Sequence, residues 1–144
     1  MTVWTSGSGA ARAGLTVSSV LIADGEPARL IGLIDADSAL WESGPDTVVV
    51  NVLAGQHRFL ADAFAGTAPA PGGPFTLAEW TETSWGPALT GAAGWLGVRL
   101  DGEPRDVGWR VLAEGVIEHV ELGTVDPLVH LRGRYLDLPE DLSG

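Results

Sequence analysis

The hydrophobic pattern of this chain consists of short runs of β-branched and aliphatic residues separated by turn-forming residues. Residues 47–53 form the clearest run, because four consecutive β-branched side chains favour a strand over a helix. Residues 14–23 and 29–35 predict two further strands, joined by a turn at 24–27. Because the segment 29–35 alternates only weakly, we expect both of its faces to be buried, as in a barrel wall.

The second half of the sequence repeats this pattern. Trp80 and Trp85 lie on an extended, turn-rich stretch, and the segments 91–100, 107–120 and 128–136 predict antiparallel strands. In the last of these strands, alternation places His130, Arg132 and Arg134 on one face. An arginine there is equally consistent with a phosphate ligand and with an ion pair at an interface.

Two short helices interrupt the predicted strands. Asp37 or Ser38 caps the first one, which the Gly44-Pro45 pair ends. The second helix covers residues 55–65, where apolar pairs at i, i+4 that begin at Phe59 and Leu60 predict a stripe facing the core. Tight connections and the absence of long βαβ crossovers then favour a mostly β fold. We expect six or seven antiparallel strands in a closed or partly closed barrel, in one domain over residues 1–144.

The loop at residues 66–75 contains three prolines and three glycines, a composition that neither a helix nor a sheet accepts. A linker and a ligand lid are the two interpretations. We prefer the lid, because neither flank is long enough to bury a core of its own.

Charge and composition exclude several classes of function. The formal net charge is −11, with 19 acidic residues and eight basic ones, all arginine, so nucleic acid is not an expected partner. Without cysteine there is no disulfide, thiolate metal site or cysteine nucleophile, and redox chemistry needs an organic cofactor. The first residues lack a signal-peptide pattern and no apolar run is long enough to span a membrane, so we expect a cytoplasmic protein with no membrane partner.

Candidate polar residues in the sequence are sparse. Thr16 and Ser18 fall on one face of the first predicted strand, where they fit either a ligand edge or an ordinary strand. Asp35 and Asp37 lack the further oxygen ligands that a calcium loop requires, so we expect capping carboxylates and no metal site. No hydrolase elbow, histidine pair or dinucleotide fingerprint is present, and the Gly7-Ser8-Gly9 segment is interpreted as flexible. The catalytic residues therefore stay unknown.

Four segments in order resemble the flavin reductase-like domain family over nearly the whole chain. They are residues 14–20 (GLTVSSV), 50–53 (VNVL), 60–66 (LADAFAG) and 127–135 (PLVHLRGRY). The resemblance implies a split β-barrel with Greek-key topology that forms a homodimer and binds FMN, with FAD as an alternative, near the subunit interface. NAD(P)H is the implied co-substrate, and a flavin-dependent oxygenase is the implied recipient of reduced flavin.

The resemblance also implies which residues bind the flavin. The first segment would contact the isoalloxazine ring and the ribityl chain, and the second would bind the phosphate. The second helix, the loop and the last strand would add further contacts. In that order the residues are Thr16, Val17, Ser18 and Ser19; Asp35, Ala36, Asp37, Ser38, Leu40 and Trp41; and Phe64, Phe75, Arg134 and Tyr135.

This chain departs from the family pattern at three places. Asp35 and Asp37 stand where many members have Lys, Ser and Thr, which leaves backbone amides, Ser38 and either Arg12 or Arg58 for the phosphate. Trp109 stands where reductases often have the histidine of a Gly-Asp-His segment associated with nicotinamide binding. The usual N-terminal helix is missing, which we expect to open part of the barrel. A non-catalytic flavin-binding or dimeric interaction module is therefore the alternative to an NAD(P)H:flavin reductase.

Overall fold

The computed structural model describes residues 1–127 and the strand segments 129–131 and 134–136. The strands are β1 Thr2–Ser6, β2 Ala13–Val17, β3 Val20–Ala23, β4 Arg29–Asp35, β5 Thr47–Val52, β6 Trp80–Thr83, β7 Gly86–Leu89, β8 Gly94–Leu100, β9 Arg105–Val107, β10 Arg110–Leu122, β11 Val129–Leu131 and β12 Arg134–Leu136. The helices are α1 Ala39–Glu42 and α2 Arg58–Phe64, with 3-10 turns at Gly9–Ala11, Gly55–His57 and Pro74–Leu77. Across these described residues, no helix combines the length and apolar character needed to cross a bilayer.

The main sheet is antiparallel, with the strand order β2-β1-β5-β8-β10-β4-β3 and with β9 beside β10. Its two edge strands, β2 and β3, follow one another in the chain and are separated only by Ser18 and Ser19. The sheet must therefore curl until its edges meet at this junction, where the Leu33 amide donates to the Ser19 carbonyl at 3.1 Å. This arrangement is the split barrel that the sequence predicted, with seven strands along its path and the two predicted helices.

The barrel interior is filled by apolar side chains from strands on opposite sides of the sheet. Trp4 of β1 is buried among Val17, Leu30, Val50 and other side chains of this cluster. Its ring reaches across to Gly32 of β4, where an added Cβ would lie 2.6 Å from Trp4 Cζ2. Gly32 is therefore required by the volume of the indole, since overpacking a dense core is destabilising.

A second core covers the outer face of β1 and β5. Helix α2 and the β6–β7 hairpin pack there through Val3, Leu53, Leu60, Phe64 and Leu89. The buried Asn51 side chain ties these layers together, because its Nδ2 donates to the Val3 carbonyl at 2.9 Å and its Oδ1 accepts from the Leu89 amide at 2.8 Å.

Two of the N-terminal expectations were wrong: the opening in the barrel and the flexible Gly7-Ser8-Gly9 segment. The first residues form β1, a strand paired on both sides with β2 and β5, rather than an opening in the barrel. Val3 and Trp4 are fully buried, which explains why the strand forms. Gly7 to Gly9 then lead into a 3-10 turn, so this segment is a tight connection between two paired strands.

Several other expectations also need correction. The segment 14–23 forms two strands on opposite edges of the sheet, because the chain changes edge at Ser18 and Ser19. Strand β4 alternates in burial and so faces the core with one side only. The last predicted strand is divided into two strands, β11 and β12, which pair with each other in antiparallel fashion. In α2 the buried stripe is Leu60, Ala61, Ala63 and Phe64, whereas Phe59 is 47% exposed.

His57 lies at the start of α2 and is largely buried. Its Nδ1 accepts a hydrogen bond from the Ala54 amide at 3.3 Å, which requires that nitrogen to be unprotonated. Burial lowers the pKa of His57 below its ordinary value of 6.5, so the unfolded chain binds more protons between the two pKa values. The stability that neutral His57 contributes is therefore complete above about pH 6.5 and is lost as the pH falls towards the folded-state pKa.

We expect the replacement His57→Asn to reduce the loss of stability between about pH 7.5 and pH 5.0, since Asn accepts from Ala54 without titrating. Urea unfolding midpoints at the two pH values measure this. Carboxylates titrate alike in both proteins, so an equal loss in the wild type and the variant would contradict the role of His57.

Thr16 joins β2 to α2, because its Oγ1 donates to the Ala61 carbonyl at 2.7 Å. We expect the isosteric change Thr16→Val to lower the free energy of unfolding by about 0.5–1.5 kcal/mol through loss of this bond. Chemical denaturation measures the effect. Thr81→Val on the exposed strand β6 is the matched control and should change stability by less than about 0.5 kcal/mol; equal effects of the two changes would rule out a special role for the Thr16 bond.

Candidate functional site

The outer face of β3, β4, β10 and β9 changes from apolar to charged along its length. Leu33 of β4 pairs with Leu112 of β10, and two residues further along Asp35 pairs with Arg110. Residues two apart on a strand lie on the same face about 6.7 Å from each other. An apolar region and a charged region therefore adjoin on one surface of the barrel.

The apolar region is a cleft of about 530 Å³, which we call the apolar cleft. Four strands supply its aliphatic lining, and Arg105 of β9 is the one cation among the described residues that line it. The aliphatic residues are Val20, Leu21, Ile31, Leu33, Val107 and Leu112. The volume falls within the range of small-molecule sites, about 300–1,000 Å³.

The charged region is a second cleft of about 440 Å³, which we call the polar cleft. Polar side chains from three strands, the β2–β3 junction, helix α2 and the loop after it line this cleft. They are Thr16 of β2, Ser18 of the junction, Asp35 of β4, Asp62 of α2, Thr67 of the loop and Arg110 of β10. Ser18 lines both clefts. It is exposed at the junction between the two edge strands, so the clefts meet at this residue.

The turn between β4 and α1 is occupied by its own hydrogen bonds. The Asp37 amide donates to Asp35 Oδ1 at 3.1 Å. Ser38 Oγ donates to the Asp35 carbonyl at 2.7 Å and accepts from the Trp41 amide at 3.2 Å, which confirms Ser38 as the helix cap. Of the segment expected to receive a phosphate, only Asp35 lines the polar cleft.

Several candidate side chains lie in the core rather than at either cleft. Val17 and Leu40 are fully buried in the barrel interior, so only their backbone can meet a ligand. Trp41 packs against the same core and lines a separate depression near Leu100 and Pro104. Ser19, by contrast, lines the apolar cleft.

Phe64 and Phe75 form an aromatic cluster with Trp80 behind the polar cleft. Ring centroids are 5.0 Å apart for Phe64–Phe75 and for Phe75–Trp80, in edge-to-face geometry. Gly14 of β2 permits this packing, since an added Cβ would lie 2.5 Å from Phe64 Cε1. The cluster fastens the end of the loop at residues 66–75, and Thr67 near its start lines the polar cleft.

Neither arginine expected to help with a phosphate lines the polar cleft. The Arg12 guanidinium lies 4.6 Å from the centroid of the Phe75 ring, and Arg58 lies at the exposed start of α2. Arg134 and Tyr135 belong to β12, but their side chains lie outside the described residues, so their predicted role stays a prediction.

Trp109 occupies the tip of the two-residue turn between β9 and β10. Gly108 takes a positive φ of 59° there, as such tight hairpin turns require, and the Trp109 side chain is 97% exposed. Trp109 directly precedes Arg110 in the chain but is not among the residues that line either cleft.

A third feature lies on the outer face of β8 and β10, away from both clefts. The His119 ring stacks against both Trp85 and Trp95, with centroid distances of 5.2 and 4.7 Å, and the two indole centroids are 6.1 Å apart. The Trp85 indole and then Arg99 hydrogen-bond Glu118 and hold the pKa of that carboxyl below its ordinary value. Trp85 also covers Gly97, which indicates a packing role for this cluster. Across the described part of the chain, no group of three His, Asp or Glu residues is placed to hold a metal ion.

The sequence alone did not predict the contribution of Arg110, Asp62, Thr67 and the aliphatic lining of β4 and β10 to these clefts. The alternation in residues 110–114 places Arg110 and Leu112 on one face, which was a usable signal. This alternation does not locate a site unless the pairing of β10 with β4 in this register is known.

Many solved structures match this chain in fold, among them the following three. The flavin reductase PheA2 in its native state matches with a TM-score of 0.84 and 20% identity over 96% of this chain and 89% of that one. The NADH:FAD oxidoreductase SgcE6 of Streptomyces globisporus, in complex with NAD and FAD fragments, matches with a TM-score of 0.85 and 19% identity over 97% and 85%. BorF, the flavin reductase component of a bacterial two-component tryptophan halogenase, matches with a TM-score of 0.82 and 24% identity over 96% and 89%.

At these identities the structural matches establish the fold. No curated protein sequence matches this chain significantly. The sequence profile of the family described as flavin reductase like domain matches residues 1–139, which is nearly the whole chain. The chain therefore belongs to the flavin reductase family of enzymes.

Proposed function

We propose that this chain binds a flavin, FMN or FAD, across Ser18 and reduces it with NADH or NADPH. The observation that carries this proposal is the meeting of an apolar and a polar cleft at one exposed residue. A flavin has a flat, largely apolar ring at one end and a polar ribityl phosphate at the other. The aliphatic lining suits the ring, and the hydroxyl and charged groups suit the polar chain.

The chemistry of the reaction belongs to the two ligands. With a flavin bound, a hydride passes from the nicotinamide to the flavin ring and a proton follows from solvent, which gives NAD(P)⁺ and reduced flavin. The chain's own residues then have to hold the two rings about 3–3.5 Å apart and exclude water. A site without a catalytic dyad is consistent with this task.

The comparisons support the ligands and the fate of the product. SgcE6 was solved in complex with NAD and FAD fragments, and BorF is the flavin reductase component of a two-component tryptophan halogenase. By analogy, this chain supplies reduced flavin to a flavin-dependent oxygenase, in the cytoplasm where we expect the protein. FMN is the first flavin to test, with FAD as the alternative.

Trp109 favours a second candidate function. It stands where related reductases often have a histidine associated with nicotinamide binding, and it projects almost fully exposed from a hairpin tip. An indole in place of an imidazole keeps a flat ring and one N–H donor but lacks the acceptor nitrogen of a neutral histidine. A module that binds flavin without turnover is the alternative.

One experiment tests the reductase proposal. We expect the wild-type protein with FMN to oxidise NADH or NADPH well above the rate of free flavin, and to show saturable FMN binding by tryptophan quenching. We expect Ser18→Leu to weaken FMN binding at least about 10-fold and to lose turnover, because the larger side chain fills the point where the clefts meet.

The matched control is Ser84→Leu in the exposed turn between β6 and β7, which should leave both activities unchanged. Thermal unfolding checks that both variants fold. Undiminished FMN affinity in Ser18→Leu would refute this placement of the site, and tight binding without nicotinamide oxidation would support the non-catalytic module.

We also propose that the chain forms a homodimer through the edge strand β3. This strand exposes Leu21 by 68% and Ile22 by 57%, beside the apolar cleft. Exposed aliphatic residues on an edge strand are typical of interaction surfaces. We expect a solution mass of twice 15.0 kDa by light scattering, shifted towards the monomer by Ile22→Lys; a monomeric wild type would exclude the dimer.

A further inference from the structure

Arg110 is the one arginine among the described residues that line the polar cleft. It is the first residue of β10, its side chain is exposed, and it faces Asp35 across the two strands. Arg29 and Arg99 are held in ion pairs with Asp101, Glu114 and Glu118. Within the described part of the chain, Arg110 has no such partner, so its guanidinium remains available to an anion.

We propose that Arg110 binds the flavin phosphate, an inference that rests on the proposed flavin-binding function. A guanidinium presents several N–H donors in one plane and suits a phosphate better than any other side chain. Ser18 lines the same cleft and supplies a further hydroxyl donor, whereas the Thr67 hydroxyl donates to the Asp62 carbonyl at 3.2 Å. The phosphate site of this chain thus lies at the start of β10 rather than in the turn before α1.

The turn between β4 and α1 is a poor phosphate site in this chain. The Ser38 hydroxyl is committed to the Asp35 carbonyl and the Trp41 amide. The Asp37 amide is committed to the Asp35 carboxylate, and the Asp37 carboxylate repels an anion at this turn. Helix α1 has only four residues, so it adds no substantial dipole.

The position of Arg110 also sets the orientation of the bound flavin. With the phosphate in the polar cleft, the ring occupies the apolar cleft beside Leu33 and Leu112. Leu112 lies two residues after Arg110 on β10 and on the same face of the strand. The reverse orientation would place the phosphate near Arg105, which lines the apolar cleft. The two arginines therefore report two different orientations.

The test compares flavins with and without a phosphate. We expect the wild-type protein to bind FMN more tightly than riboflavin, and Arg110→Gln to weaken FMN binding about 10- to 100-fold while riboflavin affinity stays unchanged. Asp35→Asn should act in the opposite sense and favour FMN further, because it removes a carboxylate from the same cleft while an amide oxygen still accepts from Asp37.

Arg99→Gln is the matched control, because it removes one positive charge away from both clefts. We expect it to keep the wild-type affinities for FMN and riboflavin. Arg105→Gln tests the reverse orientation, and we expect it to keep the wild-type ratio of FMN to riboflavin affinity, with thermal unfolding to check that each variant is folded. If Arg105→Gln abolishes the preference for FMN instead, the orientation is reversed and this inference is overturned. Equal wild-type affinity for FMN and riboflavin also overturns it but leaves flavin binding intact, whereas no binding of either flavin overturns the proposed function as well.

Discussion

The two-residue junction between β2 and β3 is the constraint on which the rest of the structure depends. Because Ser18 and Ser19 are all that separates the two edge strands, a seven-strand path has to curl until its ends meet. The same junction places an exposed hydroxyl where the apolar and polar clefts join. The junction that closes the barrel therefore also forms the candidate site.

The barrel interior is so densely packed that one position facing it has to be glycine. Trp4 spans the interior and needs Gly32 opposite it. Its Nε1 finds no hydrogen-bond partner in the described part of the chain, a cost that burial of the large ring has to offset. On the outside, Asn51 of β5 bonds to β1 and to β7, and the Thr16 hydroxyl of β2 bonds to the Ala61 carbonyl, which holds α2 beside the polar cleft.

The fold was largely predictable because its signals are local. The valine run of β5, the Ser38 cap and the turn-forming residues set most strands and both helices within a few positions. The failures arose where tertiary contacts override local pattern. Strand β1 has polar neighbours and glycines after it, and only its pairing on both sides with β2 and β5 makes it a buried strand.

The candidate site was predictable only in part. Thr16, Ser18 and Asp35 do line one cleft, but the Thr16 hydroxyl binds α2, and Val17 and Leu40 point into the core. Arg110 lies 75 positions after Asp35 in the chain, and no local pattern relates the two.

The sequence by itself determined the class of fold, the acidic surface, the lack of cysteine chemistry and the approximate place of the hydroxyl segment, because each follows from residue type and short-range spacing. The tertiary structure alone decided which strands are neighbours and in which register. Register brings Arg110 beside Asp35 and Leu112 beside Leu33, since cross-strand pairing depends on the closure of the whole sheet. The residues of the candidate site therefore come together only when the barrel is closed.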